Sequence, residues 1–260
     1  MAGTACSSRF GAPGPATAQG AQVLDHWRVL FWAALALGAL VTVFLGATSV
    51  RSRKAARREP AKFVEHAHHE LRYTMVPLVV VVVLFGLAAF TQRDVDRLDA
   101  EPGVRIEVTG FQWGWRFVYL TEGITVVGTA AEPPTLLLPV GTTARLVLRS
   151  SDVVHSFSVP EFLTKRALVP GTESRLDVTP SQTGRFGGTC AYFCGLDHAR
   201  MAFVVEVVGQ DEFDEFVTGL QELQQPPPGP TPPGEDERPG DLAGQAAPRP
   251  GPGTPQRPPV

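Results

Sequence analysis

From its sequence the chain is expected to be membrane-anchored and mainly β. An N-terminal two-helix transmembrane hairpin leads into a small β-sandwich or barrel and a disordered Pro-rich tail. Three observations support this. Two uncharged apolar runs, each bracketed by arginine, lie in the first hundred residues. Short alternating segments separated by turn residues fill roughly the next 110 residues, as in small all-β domains. From Gln225 to Val260 the chain is rich in Pro and Gly, with almost no apolar side chains whose burial could offset the entropy of ordering. The expected boundaries are 1–24 for a flexible N-terminus, 25–95 for the hairpin, 101–224 for the β-domain and 225–260 for the tail.

The first run, 29–50, lies between Arg28 and Arg51. At about 1.5 Å per residue its roughly 22 residues make a helix of about 33 Å, enough to cross a bilayer. The second, 73–92, lies between Arg72 and Arg93, with Pro77 expected in its first turn, where a missing N–H does least harm. A buried core helix would not be so long and uncharged. A cleaved leader would have a shorter apolar part and basic residues before it.

Arg51, Arg53, Lys54, Arg57, Arg58, Lys62 and Arg72 fall between the two runs, whereas only Arg9 and Arg28 precede the first. The positive-inside bias therefore keeps the connection in the cytoplasm and sends both termini, with the β-domain, to the outer face. The abundance of Ala, Gly, Pro and Arg points to a bacterial plasma membrane. Net charge is −3 and the basic residues are not spread along the chain, so nucleic-acid binding has no support. The three cysteines, Cys6 alone and Cys190 with Cys194, are too few for a disulfide framework.

Strands are expected at 104–110, 113–119, 135–140, 144–149, 153–159, 174–179 and 202–208, and a short closing helix at 211–220 with acids in its first turn. His66, His68 and His69 read as a polar face at the membrane surface rather than a metal cluster.

The chemistry is concentrated in Thr-Cys190-Ala-Tyr192-Phe-Cys194-Gly-Leu-Asp-His198-Ala-Arg-Met201, with a second imidazole, His155, upstream in Asp152-Val-Val-His155-Ser-Phe-Ser-Val-Pro160. Two thiols, two imidazoles and a thioether are soft or borderline donors, suited to copper far better than to calcium, magnesium or manganese. The set matches a two-copper electron-transfer centre in which both thiolates bridge the metals. Gly187, Gly188 and Gly195 argue for a loop that wraps its donors around a metal. A disulfide between the two cysteines and a Cys₂His₂ zinc site are the alternatives. Neither uses Met201.

This loop closely resembles the CuA loop of cytochrome c oxidase subunit 2. The His155 segment, Gly110-Phe-Gln-Trp113-Gly-Trp115-Arg-Phe-Val-Tyr119 and the helix pair resemble that family too, and the likeness runs in order over 24–219. It implies a cupredoxin-like β-domain. Cys190 and Cys194 would bridge two copper ions, His155 and Met201 completing one ion, His198 and the backbone carbonyl of Tyr192 the other. Where many members carry a Glu that also helps bind magnesium against the catalytic subunit, this chain has Tyr192, which offers no carboxylate.

The same resemblance implies that Trp113 is an exposed tryptophan receiving the electron from cytochrome c. It makes Asp152 an acid near the docking face for that donor. Glu70 becomes the carboxylate at the inner mouth of a proton-uptake path. The implied partners are the catalytic haem–copper oxidase subunit 1, other oxidase subunits, the lipid bilayer, and cytochrome c or a membrane-bound c-type cytochrome. The implied function is an electron-input subunit that does not itself reduce oxygen; with no Cys-x-x-Cys-His, the chain carries no c-type haem. The rival readings are the equivalent subunit of a copper-containing nitric oxide reductase and, from another class, a membrane-tethered copper chaperone or carrier.

Overall fold

The structure is a computed structural model and describes residues 11–55 and 67–224. Cys6, Arg9, Arg57, Arg58, Lys62, His66 and the 225–260 tail lie outside the described residues.

Two long helices, α1 (Ala18–Ala55) and α2 (Ala67–Val95), come first. Both are apolar and long enough to cross a membrane. Along the apolar spans most described side chains face outward without protein cover: Leu40, Val43, Phe85 and Phe90 are all exposed. A core helix would bury that surface, whereas lipid satisfies it and leaves every backbone group bonded within the helix. Near one end of the hairpin His26 Nδ1 lies 3.1 Å from Thr91 Oγ1, a polar contact between the helices.

Both helices start earlier than expected. The polar stretch before Tyr73 is already helical, so Pro77 sits well inside α2 rather than in its first turn. The described part of the N-terminus, 11–24, is not a flexible leader. Ala16, Thr17 and Leu24 are buried, and Thr17 forms a β-bridge with Pro180. Thr17 also caps α1, its hydroxyl accepting from Gly20 N–H at 3.0 Å. Only glycine fits at position 20, because a Cβ there would stand 2.8 Å from the Phe162 carbonyl oxygen.

Ten strands follow: β1 (Val104–Phe111), β2 (Gly114–Tyr119), β3 (Ile124–Thr129), β4 (Thr135–Pro139), β5 (Ala144–Ser150), β6 (His155–Val159), β7 (Thr164–Leu168), β8 (Ser174–Val178), β9 (Gly184–Cys190) and β10 (Ala202–Val208). They form two five-stranded sheets, in the orders β3-β2-β1-β5-β8 and β4-β10-β9-β6-β7. The pairs β1–β5 and β4–β10 are parallel and the other pairs antiparallel.

Alternation sets the core. Ile106, Val108, Trp115, Phe117, Leu146 and Leu148 from the first sheet are fully buried. Leu136, Leu138, Phe157, Val159 and Val205 are fully buried from the second. The Tyr119 hydroxyl donates to the Leu137 carbonyl and accepts from its N–H, at 2.9 and 2.8 Å, and burial pushes its pKa up. A closing helix, α3 (Gln210–Gln224), lays Phe213 and Phe216 near Tyr119.

Three strands were not expected. β3 and β7 are sheet edges carrying glycine or charge, which weakens the alternation. β9 reads Gly-Arg-Phe-Gly-Gly-Thr-Cys, where three glycines hide the pattern. Residues 153 and 154 precede β6 rather than belonging to it, and Trp113 lies in the turn before β2.

Candidate metal centre

The donors meet at one end of the sandwich, between β6 and the β9–β10 connection. On β9 the inward positions are Gly188 and Cys190, so the thiol enters the interior with 4% exposure. Gly188 makes room for this packing, since a Cβ there would stand 2.1 Å from the Phe203 ring. On β6 the inward positions are His155, Phe157 and Val159, and Phe157 pairs with Cys190 across the sheet. His155, two residues before Phe157 on the same face, is therefore a diagonal neighbour of Cys190. Its Nδ1 lies 3.9 Å from Cys190 Sγ. Gly110 on β1 leaves space for the imidazole, because a Cβ there would come within 3.1 Å of the ring.

The chain leaves β9 at Cys190 and returns to β10 at Ala202, and the Cys190 N–H donates to the Met201 carbonyl at 3.0 Å, closing the connection. Within it Cys194 is buried and Gly195 adopts φ +120°, which a side chain would strain. His198 lies in a short 3₁₀ turn, His198–Arg200. The two Sγ atoms stand 3.8 Å apart. Cys194 Sγ is 3.6 Å from His198 Nδ1 and 3.8 Å from Met201 Sδ. The Tyr192 carbonyl oxygen lies 3.2 Å from Cys190 Sγ. All five donor side chains and the one carbonyl thus converge on the sulfur pair.

Both cysteines are free. A disulfide needs sulfurs about 2.05 Å apart; these are separated and flanked on each side by an imidazole. The donor chemistry fits a thiolate-bridged copper pair, with Met201 buried where a thioether can complete one metal. It does not fit magnesium. Tyr192 presents a ring instead of a carboxylate, and the Lys165 ammonium sits 4.6 Å from that ring's centroid, where it would repel a divalent cation.

The metal-free electrostatics favour one thiolate. Burial opposes ionisation of Cys190, but the hydrogen bond from His155 and nearby backbone groups outweigh it and hold the thiol down at about 6. Burial, then the neighbouring Cys190 charge, pushes Cys194 up to about 12. His155 is raised: burial disfavours its charge, and Cys190 and Asp152 more than compensate. Copper binding must therefore displace a proton from Cys194, so affinity rises with pH.

Asp152 sits where it orients His155. Its Oδ1 is 2.8 Å from His155 Nε2 and accepts from Val153 N–H, while Oδ2 accepts from Gln112 N–H at 2.7 Å. These bonds hold its carboxyl below the usual range, against the upward push of burial. A carboxylate on the far nitrogen fixes the tautomer that presents Nδ1 to a metal. Asp152→Asn is expected to weaken copper binding roughly 10–100-fold, as loss of such outer partners does. Competition with a copper chelator measures this, and an unchanged affinity would count against the role.

Trp113 is half-buried rather than exposed, and its Nε1 donates to the Cys194 carbonyl at 3.3 Å. Gln112, which carries no sequence motif of its own, donates to the same carbonyl at 2.7 Å through Nε2. Its only sequence signal was adjacency to Trp113. Trp115 and Phe117 are fully buried core residues. Glu70 stands apart from this cluster, exposed in the first turn of α2. It is about 38 Å along the helix from Val95 at 1.5 Å per residue. Around the buried donors the rim is apolar and open: Phe193 is 83% and Leu196 89% exposed.

The chain is similar to known proteins over most of its length. The family described as cytochrome C oxidase subunit II, periplasmic domain, matches residues 130–208, a stretch that includes all five donor side chains. The probable cytochrome c oxidase subunit 2 of Streptomyces coelicolor is 34% identical over 252 residues, covering 82% of this chain and 79% of that one. Cytochrome c oxidase subunit 2 of Corynebacterium glutamicum is 30% identical over 271 residues, covering 81% and 76%. Among solved structures, the periplasmic domain of subunit II of cytochrome oxidase from Bradyrhizobium japonicum is 27% identical, with a TM-score of 0.45. It covers 48% of this chain and 99% of its own length.

Proposed function

We propose that this chain, which belongs to the cytochrome c oxidase subunit 2 family, is the electron-input subunit of a respiratory haem–copper oxidase. It receives single electrons from a c-type cytochrome at the outer face and passes them to haem in the catalytic subunit. Oxygen is reduced to water there, coupled to proton translocation. The observation that carries this reading is the convergence of two free, buried thiols, two imidazoles and a thioether at one end of the β-domain. Two copper ions bound there would supply a one-electron couple shared over both metals, with little rearrangement of each bond.

The residues divide the work. Cys190 and Cys194 would hold both metals through their thiolates, with His155 and Met201 serving one ion and His198 and the Tyr192 carbonyl the other. Burial keeps water from His155, Cys190 and Met201, and Asp152 orients the buried imidazole. Trp113, bonded to the carbonyl of a bridging cysteine, links the centre to the surface where the donor docks. Asp152 can add to docking through the third of its side chain that stays exposed. The basic connection between the helices supports placing the copper domain outside the membrane. Magnesium has no part in this reading.

The copper-loaded chain should be purple and give a mixed-valence electron-spin signal split by two equivalent copper nuclei. A signal from a single copper would overturn the reading. In the assembled oxidase, Trp113→Ala should slow reduction of the copper centre by cytochrome c while leaving that spectrum unchanged. Glu70→Ala should do the reverse, leaving electron input normal and slowing proton-coupled turnover. Stopped-flow reduction with parallel proton uptake separates the two, and equal input rates in wild type and Trp113→Ala would remove the tryptophan from the path.

A further inference from the structure

The end of β8 holds both ends of the helical hairpin, using the buried Asp177 and half-buried polar groups around it that the metal centre does not engage. Asp177, 2% exposed, takes Arg145 in a two-pronged pair, Nε to Oδ1 and Nη2 to Oδ2, each at 2.8 Å. Oδ2 also accepts the Asp99 N–H at 2.7 Å, and Arg145 donates to the Asp99 carbonyl at 2.5 Å. Asp99 lies just beyond the end of α2 at Val95, so this cluster grips the exit of the second helix.

Two residues past Asp177, Thr179 grips the start of the first helix. Its carbonyl accepts from Ala18 N–H at 3.0 Å and its own N–H donates to Gln19 Oε1 at 3.0 Å. Gln19 Nε2 donates to the Thr179 hydroxyl at 3.3 Å. Ser181 N–H and Ala16 N–H add bonds to the Ala16 and Glu161 carbonyls on either side. One short segment, 177–181, with Arg145 beside it, thus ties both membrane helices to the β-domain.

We propose that Asp177, Arg145 and Thr179 are positioning residues for electron transfer, locking the β-domain to the hairpin so that the copper centre stays at a set distance from its acceptor. This rests on the electron-input reading. A buried Arg–Asp pair is a poor stabiliser compared with well-packed apolar side chains, and its attested use is to select one arrangement among several. The strands give the pair leverage. Arg145 is near the start of β5, and Ser150, at its other end, pairs with Gly110 beside His155. That is about 17 Å of strand at 3.3 Å per residue, so a tilt of about 10° at the clamp moves the copper end by about 3 Å. The transfer moves one electron, oxidising the copper pair and reducing the acceptor haem, with no bond made or broken. Its rate falls exponentially with separation, so slack at the clamp is read directly as a slower internal step.

The test uses the assembled oxidase with Asp177→Asn and, on the other helix, Gln19→Met. Reduction of the copper centre by cytochrome c and the copper spectrum should match wild type. Transfer from copper to haem after flash reduction should slow roughly tenfold or more, as small misplacements of reacting partners do. Amide hydrogen exchange across 96–103 should quicken in Asp177→Asn, because the Asp99 N–H loses its anionic acceptor. An internal rate within twofold of wild type in both variants overturns the proposal. Loss of the copper signal in both also overturns it, since the clamp would then hold the fold rather than the distance. A wild-type oxidase with no two-copper signal would instead defeat the electron-input reading itself.

Discussion

Cys190→Ser is expected to abolish the two-copper signal. The hydroxyl occupies nearly the same space as the thiol but is a hard, weak donor for copper and cannot bridge two metals as a thiolate does. Any copper that stays bound should show a single-ion spectrum. The loss of affinity should exceed the roughly 10–100-fold that follows removal of a ligand's outer partner. Electron input from cytochrome c in the assembled oxidase should fall to background. The fold should survive, because the strand register of β9 depends on backbone bonds to β10 and β6, which the substitution leaves in place. Circular dichroism checks the fold and electron-spin resonance the metal, so collapse and loss of metal are distinguished. A persisting two-copper signal would remove Cys190 from the bridging role.

Phe203→Ala should be the most damaging substitution in the core. The ring is 1% exposed and lies 4.8 Å from Phe157, 5.0 Å from Trp115 and 5.8 Å from Phe117, centroid to centroid. It also fills the space that Gly188 leaves open beneath β9. Truncating a buried Phe costs about 3–5 kcal/mol, from lost transfer energy and from the cavity left behind. At roughly 4 °C per kcal/mol the midpoint should drop by about 12–20 °C. A thermal melt of the metal-free chain in detergent, followed by near-ultraviolet circular dichroism, measures this. A shift under about 3 °C would mean that the sandwich collapses to fill the gap.

How much of this was readable beforehand depended on the kind of signal. The hairpin was legible because a bilayer demands long uncharged runs and excludes arginine from them. The metal loop was legible because Cys190, Cys194, His198 and Met201 sit within one short stretch and belong to one donor class. The family resemblance marks Asp152 as a docking acid, and its bond to His155 spans only three residues, yet its bond to the Gln112 N–H joins segments forty residues apart. Such a contact leaves no local pattern. β9 is hard to read although Cys190 ends it, because three glycines break its alternation, and one of them, Gly188, serves the Phe203 ring on the neighbouring strand. The N-terminal stretch 11–24 lacked periodicity, and its order comes from bonds to Glu161, Thr179 and Pro180, far away in the chain.

Local chemistry was therefore enough to specify two membrane helices, a sheet-rich domain and a copper-seeking set of donors, because each of these is encoded in neighbouring side chains. Folding in three dimensions was needed to bring His155 to Cys190, to bring the Gln112 N–H to Asp152 and to clamp both helices at the end of β8. Those arrangements arise between distant strands, where the register of backbone hydrogen bonds, rather than the identity of any one residue, sets which side chains meet.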